Sequence, residues 1–556
     1  PIRVIPMPAL QSLSLSPADW WNHAVLYQIY PRSFADSNGD GIGDIPGIIS
    51  KLPHIADLGV DALWLSPFYT SPQKDAGYDV ADYCNVDPIF GSLSDAEKLI
   101  ETAHEYGLCI IVDVVPNHSS DQHPWFQKAL AAKPGSRERA RYMFREGKGV
   151  AGDLPPNNWE SVFGGPAWTR VAESDGSPGQ WYLHLFDASQ PDFDWKNPEV
   201  WELFRSVLTF WLDRGVDGFR VDVAHGLIKA EGLPDEEKLH HPPLGNSGPF
   251  WDQEGVHAVY QEWRKILESY GPDKMLCAEA WVMPLSKMAH YVRSDEMHQA
   301  FNFGYLATSF EAEALRSIIN ESLAAFGGVG SPSSWVLSNH DVVRHATRLG
   351  TDFVSQGQPT GIGPRSPEKP DALLGLRKAR AASALMLALP GSAYLYQGEE
   401  LGLPEVIDIP DDRRQDPTFF RTHGERYGRD GCRVPIPWEA GAPAYGFNTT
   451  GESWLPQPPA FAELARDNQV GDPDSTLELY RSLLRFRNQQ GLGKGSLVWL
   501  DGFSSDVVAF RNGSVSVVSN TGEHPIARPD GEVLVTTTAL GDEMIPAHTT
   551  VWINTA

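Results

Sequence analysis

The sequence predicts an α/β fold: a (β/α)8 TIM barrel with an inserted loop-rich domain after the third strand and a C-terminal antiparallel β domain. Short apolar runs alternate with amphipathic helical stretches over most of the 556 residues, which is typical of βα units around a parallel sheet. Several of the runs end on charged residues. Functional groups gather at the carboxyl ends of barrel strands, so this pattern also predicts an enzyme.

Eight apolar runs are candidates for the barrel strands. Amphipathic patterns with apolar residues at helical spacing lie between them, for example over residues 95–106, 200–214, 256–270 and 377–388. The predicted strands cover residues 25–34, 62–68, 108–115, 218–223, 276–281, 300–305, 334–339 and 392–397.

The domain organisation follows from the spacing of these runs. About a hundred residues separate the third run from the fourth, which indicates an insertion, and short alternating runs after residue 489 indicate a small antiparallel domain. A Pro/Gly-rich stretch over residues 356–371 is predicted as a surface loop. The predicted domains are the barrel at 16–116 and 196–490, an inserted domain B at 117–195, and a C-terminal β-sandwich domain at 491–556.

Composition argues against several classes of partner. The formal charge is −27, and no basic run is interleaved with aromatic residues, so we expect no binding of nucleic acid or of anionic membranes. No stretch of 18 apolar residues and no N-terminal apolar segment occurs, so neither a transmembrane helix nor a signal peptide is expected. Four scattered cysteines without paired spacing favour a cytoplasmic setting, and we expect a monomer or a homodimer.

Acidic residues end several of the predicted strands. Asp113, Asp222, Glu279 and Asp341 each follow an apolar run, and Arg220 precedes Asp222 by two residues. One acid at a strand end is more often a helix cap or part of a loop ion pair. Four such acids at one rim would crowd like charges, which is unfavourable for folding unless function requires it.

These motifs resemble the conserved regions of the α-amylase family of glycoside hydrolases, and within it the oligo-1,6-glucosidase and α-glucosidase branch. The resemblance spans residues 24 to 438. The motifs that carry it lie at residues 24–34, 113–118, 218–223, 339–341, 396–400 and 429–435.

The resemblance implies that Asp222 is the nucleophile, Glu279 the general acid and then base, and Asp341 a third acid that orients sugar hydroxyls. Retaining hydrolysis of a glycoside requires an ionised carboxylate and a protonated one about 5–5.5 Å apart. Arg220 would keep the nucleophile ionised, and burial among negative charges would keep Glu279 protonated. By the same resemblance, His118 and His340 hydrogen-bond sugar hydroxyls.

The resemblance also implies a pocket that is closed at one end. Tyr78 would stack on the terminal glucose, while Asp75 paired with Arg433 would hold its far hydroxyls. Phe186 and Gln190, from the inserted domain, would line the same site. Such a closed end implies removal of single glucose units from the end of a chain.

Residues 36–44 alternate oxygen-bearing side chains with glycines, a pattern that fits a hard cation. An EF-hand is excluded, because its twelfth position is Gly47 and no helix precedes the loop. An Asp/Gly turn without metal is the alternative. The loop resembles the calcium loop of the same branch, which implies a structural Ca²⁺ bound by Asp36, Asn38, Asp40, Asp44 and the carbonyl of Ile42.

The implied function is a retaining exo-acting α-glucosidase that acts on short oligosaccharides or other small α-glucosides, with transglucosylation. A glucosyl transferase or isomerase acting on sucrose or trehalose is the nearest alternative, because it would share the covalent intermediate. A non-catalytic family relative is the remote alternative, since such relatives tend to lose the three catalytic acids, all of which are present here. By the same resemblance, Val223 directly after the nucleophile implies activity on α-1,6 linkages. Residues 224–226 differ from the usual oligo-1,6-glucosidase sequence, however, and we favour α-1,4 linkages while α-1,6 stays open.

Overall fold

The computed structural model describes residues 18–237, 245–351, 361–367, 369–541 and 543–555. The predicted absence of a signal peptide and part of the predicted loop at 356–371 therefore lie outside the described residues. None of the helices in these ranges is long and apolar enough to cross a membrane.

Eight parallel strands form the central sheet, as predicted. We number them β1 to β8 in chain order, and their order in the sheet is β6-β5-β4-β3-β2-β1-β8-β7. A single parallel bridge between Phe301 and Ser334 joins the two outer strands and closes the barrel. The strands are Val25–Ile29, Ala62–Leu65, Cys109–Val114, Gly218–Val221, Met275–Ala278, Gln299–Ala300, Ser334–Val336 and Ser392–Tyr396.

The strands are short and almost wholly buried, because helices cover the outside of the barrel and side chains fill its inside. Helix Ile45–Leu58 is capped at its start by Asp44, whose carboxylate accepts the Gly47 N–H. It is capped at its end by Gly59, where φ is 97°. The other long helices are Leu93–Glu105, Pro198–Leu212, Val256–Tyr270, Ala312–Gly327, Ala372–Leu387 and Thr476–Gln489.

The insertion follows β3, as predicted. It contains helix Pro124–Ala131 and a three-stranded antiparallel sheet of Phe144–Arg145, Trp168–Ala172 and Pro178–Leu183. The insertion returns to the start of its own segment at Asp192, which pairs with His118 in an isolated antiparallel bridge.

The C-terminal domain is antiparallel, as predicted, and packs on the barrel through helix Ala372–Leu387. The indole of Trp552 donates to the carbonyl of Ala384 at 3.1 Å, which fixes this contact. No observation tests the exact domain boundaries, which stay predictions. The five strands of its larger sheet are Leu497–Trp499, Val507–Asn512, Val515–Asn520, Glu532–Thr536 and Thr549–Asn554.

Candidate active site

The predicted acids follow their strands directly and meet at one rim of the barrel. The N–H of Asp222 donates to Val114 of β3, and the N–H of Glu279 donates to Val221 of β4, so both residues continue the ladder by one step. The two side chains line one pocket together with Asp341. This is the end of the barrel at which a catalytic site is expected.

Arg220 links three carboxyl groups inside the barrel. Its guanidinium contacts Asp222 at 2.6 Å, Asp113 at 2.9 Å and Glu279 at 3.4 Å. All four side chains are buried. One positive charge thus lies beside three carboxyl groups and cannot neutralise all of them when they are ionised. Such an arrangement favours one proton shared among the three acids.

Burial raises the pKa of all three acids, and Arg220 opposes that rise. The pKa of Asp113 rises to about 7. The pKa values of Asp222 and Glu279 also rise, and the negative charges of nearby acids add to the effect of burial. The cluster can therefore hold a proton near neutral pH, which a general acid requires.

Asp341 has the opposite environment. Burial alone would raise its pKa, but the guanidinium groups of Arg429 and Arg433 outweigh burial and lower the pKa below its ordinary value. Both arginines donate to Asp341 Oδ1, at 3.1 and 3.0 Å. Asp341 therefore stays ionised across the physiological range and can accept hydrogen bonds from sugar hydroxyls.

Val223, directly after Asp222, has an unusual backbone conformation. Its φ is 47°, in the left-handed region that a β-branched residue rarely adopts. In this conformation its N–H donates to Glu279 Oε2 at 2.7 Å. The turn after β4 therefore orients the acid that follows β5, at a cost in backbone strain.

One end of the pocket is closed by an ion pair. Asp75 Oδ1 accepts from Arg429 at 2.8 Å, and Asp75 Oδ2 accepts from Gln190 at 3.0 Å. Gln190 also contacts His118 at 3.2 Å, and Phe186 packs on the His118 ring at 5.2 Å. The inserted domain therefore completes this end of the site.

The predicted pairing of Asp75 with Arg433 is wrong, since Arg429 takes that place. Two bonds to Asp416, from the backbone N–H and from Nε, fix Arg429 so that its Nη2 reaches Asp75. Arg433 follows a one-turn helix, Asp430–Cys432, that places it under His340, where its Nε donates to the His340 carbonyl at 2.8 Å.

The aromatic ring of Tyr78 is stacked on His340, with centroids 5.3 Å apart. Its hydroxyl contacts His340 Nε2 at 2.7 Å and donates to Asp113 at 3.0 Å. Burial lowers the pKa of His118 to about 4 and that of His340 well below its ordinary value, so both imidazoles are neutral.

Among the eleven catalytic and substrate-binding residues predicted from the sequence, seven line the pocket and four lie behind it. The lining residues are Asp75, Tyr78, His118, Phe186, Asp222, Glu279 and Asp341, and the four behind are Gln190, Arg220, His340 and Arg433.

Sequence reasoning missed several residues of the pocket. Arg429 lies in the motif at residues 429–435, where its positive charge was the available signal. Trp281 lies two residues after Glu279, the spacing that keeps side chains on one face of a strand. Phe163, Asn246 and Trp251 also line the pocket, but they lie in loops without periodicity and gave no signal.

The loop predicted to hold Ca²⁺ is organised by its own backbone. Asp36 accepts from the N–H groups of Gly39 and Gly41, Asp44 caps the following helix, and Asn38 and Asp40 are exposed. The donor set, with oxygen ligands at alternate positions, suits a hard cation. However, no three His, Cys, Asp or Glu side chains within the described ranges cluster as a metal site, so calcium binding stays a prediction.

Comparison with known proteins agrees with this geometry. Residues 28–495 match the family model described as the catalytic domain of α-amylase. A probable α-glucosidase of Rhizobium meliloti (strain 1021) is 37% identical over 507 residues, which cover 87% of this chain and 85% of the relative. An oligo-1,6-glucosidase of Parageobacillus thermoglucosidasius is 36% identical over 510 residues, covering 85% and 84%.

Solved structures show the same architecture. The α-glucosyl transfer enzyme XgtA has a TM-score of 0.82 and 35% identity, with 96% of this chain and 99% of that chain covered. A mutant trehalulose synthase, A258V, has a TM-score of 0.80 and 30% identity, with 96% and 100% covered. The chain therefore belongs to the α-amylase family of glycoside hydrolases.

Proposed function

We propose that this protein is a retaining exo-acting α-glucosidase that releases terminal α-glucose from short oligosaccharides. The observation that carries the proposal is the contact of one guanidinium with two carboxyls of the pocket: Arg220 contacts Asp222 at 2.6 Å and Glu279 at 3.4 Å. The shorter contact favours negative charge on Asp222, which leaves the proton of the cluster on Glu279.

The mechanism has two steps. Asp222 attacks the anomeric carbon while Glu279 gives its proton to the leaving oxygen, and the bond between sugar and leaving group breaks. In the second step Glu279 takes a proton from the incoming water, whose oxygen displaces Asp222 from the anomeric carbon. Asp341 accepts hydrogen bonds from sugar hydroxyls throughout, because its pKa keeps it ionised.

The closed end of the pocket supports the release of single glucose units. The Asp75–Arg429 pair leaves no path for a second sugar beyond the first, and both side chains are buried. Their oxygens and nitrogens would bind the far hydroxyls of a terminal glucose. Similarity to oligo-1,6-glucosidases and to a probable α-glucosidase supports the same substrate class.

Transglucosylation is the second candidate activity. The side of the pocket near Glu279 is lined by the aromatic side chains of Trp251 and Trp281, which favour a sugar over water as the acceptor. The likeness to a glucosyl transfer enzyme and to a trehalulose synthase supports this activity.

Two variants test the proposal with p-nitrophenyl α-glucoside. Asp222→Ala should reduce kcat by at least about 10³-fold, and Glu279→Gln should spare the first step for this good leaving group while blocking cleavage of disaccharides. The first glucose released should be the α anomer by NMR. Release of the β anomer, or full activity of Asp222→Ala, would exclude the proposed mechanism.

The linkage preference is a narrower proposal, α-1,4 over α-1,6. Initial rates on maltose, isomaltose, sucrose and trehalose test it and separate hydrolysis from isomerisation. The free state of all four cysteines supports the proposed cytoplasmic setting, and the monomeric or dimeric state is measured by sedimentation.

A further inference from the structure

The position of the general acid fixes where the leaving group of the substrate must lie. Glu279 has to touch the oxygen that leaves, so the group attached to that oxygen lies beside the loop that follows β5. The Asp75–Arg429 pair closes the glucose end. The leaving group therefore contacts the pocket residues near Glu279, at its other end.

Two hydrogen bonds and one pair of stacked rings organise that other end. The N–H of Asn246 donates to the carbonyl of Trp281 at 2.6 Å, which ties Asn246 to the loop of the general acid. The amide oxygen of Asn246 lies 2.8 Å from His225 Nε2. The His225 ring is stacked on Trp251, with centroids 4.6 Å apart and planes at 17°. All four residues line the pocket.

His225 holds the Asn246 side chain in place without adding charge. Burial lowers the pKa of His225 to about 4, so the imidazole is neutral near pH 7. His225 is buried, whereas Asn246 is half-buried and reaches the open part of the pocket. The environment around the leaving group is therefore uncharged on this side and suits a neutral ligand.

The Asn246 amide has a second hydrogen-bonding group besides the one that contacts His225. One end of the amide contacts His225, and its other end has no partner among residues that the structure describes. Either orientation of the amide leaves a donor or an acceptor available, and a sugar hydroxyl can pair with both. Trp281 lies beside it, stacked on Phe303 at 3.9 Å, and offers a flat apolar face to a sugar ring.

We propose that Asn246 determines the specificity for the leaving group by hydrogen-bonding a hydroxyl of a leaving hexose, with His225 as the residue that positions it. The inference rests on the proposed α-glucosidase function. It distinguishes a sugar leaving group from an aryl leaving group of similar size, because only the sugar offers a hydroxyl to Asn246.

The test compares two substrates in the same variants. Asn246→Ala and the volume-conserving Asn246→Leu should lower kcat/KM about 5- to 10-fold, the effect of one hydrogen bond, on whichever disaccharide the wild-type enzyme cleaves fastest among maltose, isomaltose, sucrose and trehalose. Turnover of p-nitrophenyl α-glucoside should stay within about twofold of wild type. Ser247→Ala, at the exposed neighbouring position, is the matched control and should change neither substrate.

Equal losses on both substrates would show that Asn246 only supports the fold, and would overturn the inference. No loss on either substrate would overturn it as well. A wild-type enzyme without activity on any glucoside would instead refute the proposed function, so the two failures are distinguishable. His225→Ala should reproduce the selective loss on the disaccharide, because it frees the Asn246 amide to rotate.

Discussion

Asp113 and Arg220 lie opposite each other in register on β3 and β4, and one guanidinium nitrogen donates to both oxygens of the carboxylate, at 2.9 and 3.1 Å. Asp113 is fully buried and does not line the pocket, so its charge acts on the catalytic acids from below.

Removal of that charge should shift the pH dependence of activity. The negative charge of Glu279 adds to burial in raising the pKa of Asp113. The same repulsion acts on Glu279, so Asp113→Asn should lower the pKa of Glu279 and move the alkaline limb of kcat/KM to lower pH by about one unit. The measurement is the pH profile with p-nitrophenyl α-glucoside. Asp61→Asn is the control, since Asp61 is half-buried and accepts from Val25 at the opposite end of β1. An unmoved limb would contradict this role of Asp113.

Arg429 should not be replaceable by lysine. Its guanidinium donates to Asp75, Asp341 and Asp416 at once, and an ammonium cannot span three carboxylates with the same geometry. Arg429→Lys should lower kcat/KM on a glucoside about 100-fold with the positive charge retained. Arg421→Lys is the control, because Arg421 Nε donates to the Gly164 carbonyl of the inserted domain at 2.8 Å, and this variant should stay within about twofold. Equal kcat/KM values for the two variants would argue against closure of the pocket by the Asp75–Arg429 pair.

Lys229 joins three segments beneath the pocket. Its buried ammonium contacts Asn117 at 2.8 Å, Gly226 at 2.5 Å and Asp192 at 2.9 Å. Lys229→Met leaves the Asp192 carboxylate buried without its cation and should cost about 3–5 kcal/mol of unfolding free energy in urea titration.

A second substitution checks the cause of that loss. Asp192→Asn in the Lys229→Met background should recover part of the lost stability, because the unpaired charge is gone. Additive losses would show that the two side chains act independently. Lys196→Met is the matched control, because Lys196 pairs with Glu231 at the exposed surface and should contribute less than about 1 kcal/mol.

Calcium removal tests the loop at residues 36–44. If the loop binds Ca²⁺, chelation should lower the melting temperature and added Ca²⁺ should restore it. At a hundredfold excess over Kd, Ca²⁺ should add about 2.7 kcal/mol to the free energy of unfolding. Asp40→Ala should abolish the response, because it removes one of the predicted ligands. The substitution itself should cost little stability, since Asp40 is exposed. A melting temperature insensitive to both treatments in the wild type would leave the loop as an Asp/Gly turn.

All eight barrel strands could be predicted from the sequence because buried parallel strands are continuous apolar runs between helical patterns. The positions of the acids could be predicted because each directly follows a barrel strand, and the carboxyl ends of parallel strands meet at one rim. The partner of Asp75 could not, since Arg429 and Arg433 lie one helical turn apart in a loop, and only the contact of Arg429 with Asp416 decides which of them reaches it. Asn246 was also missed, because its importance depends on His225 and Trp281, which are distant in the chain.

The single bridge between Phe301 and Ser334 makes one seam of the barrel weaker than the seven others. β6 is two residues long, so this seam has fewer ladder hydrogen bonds to break than any neighbouring one. Local opening needs less free energy where few hydrogen bonds are lost. Amide protons of β6 and β7 should therefore exchange with solvent earlier than those of β1 to β4. Trp281, which lines the pocket, is stacked on Phe303 next to this seam, so local opening here would reach the pocket wall.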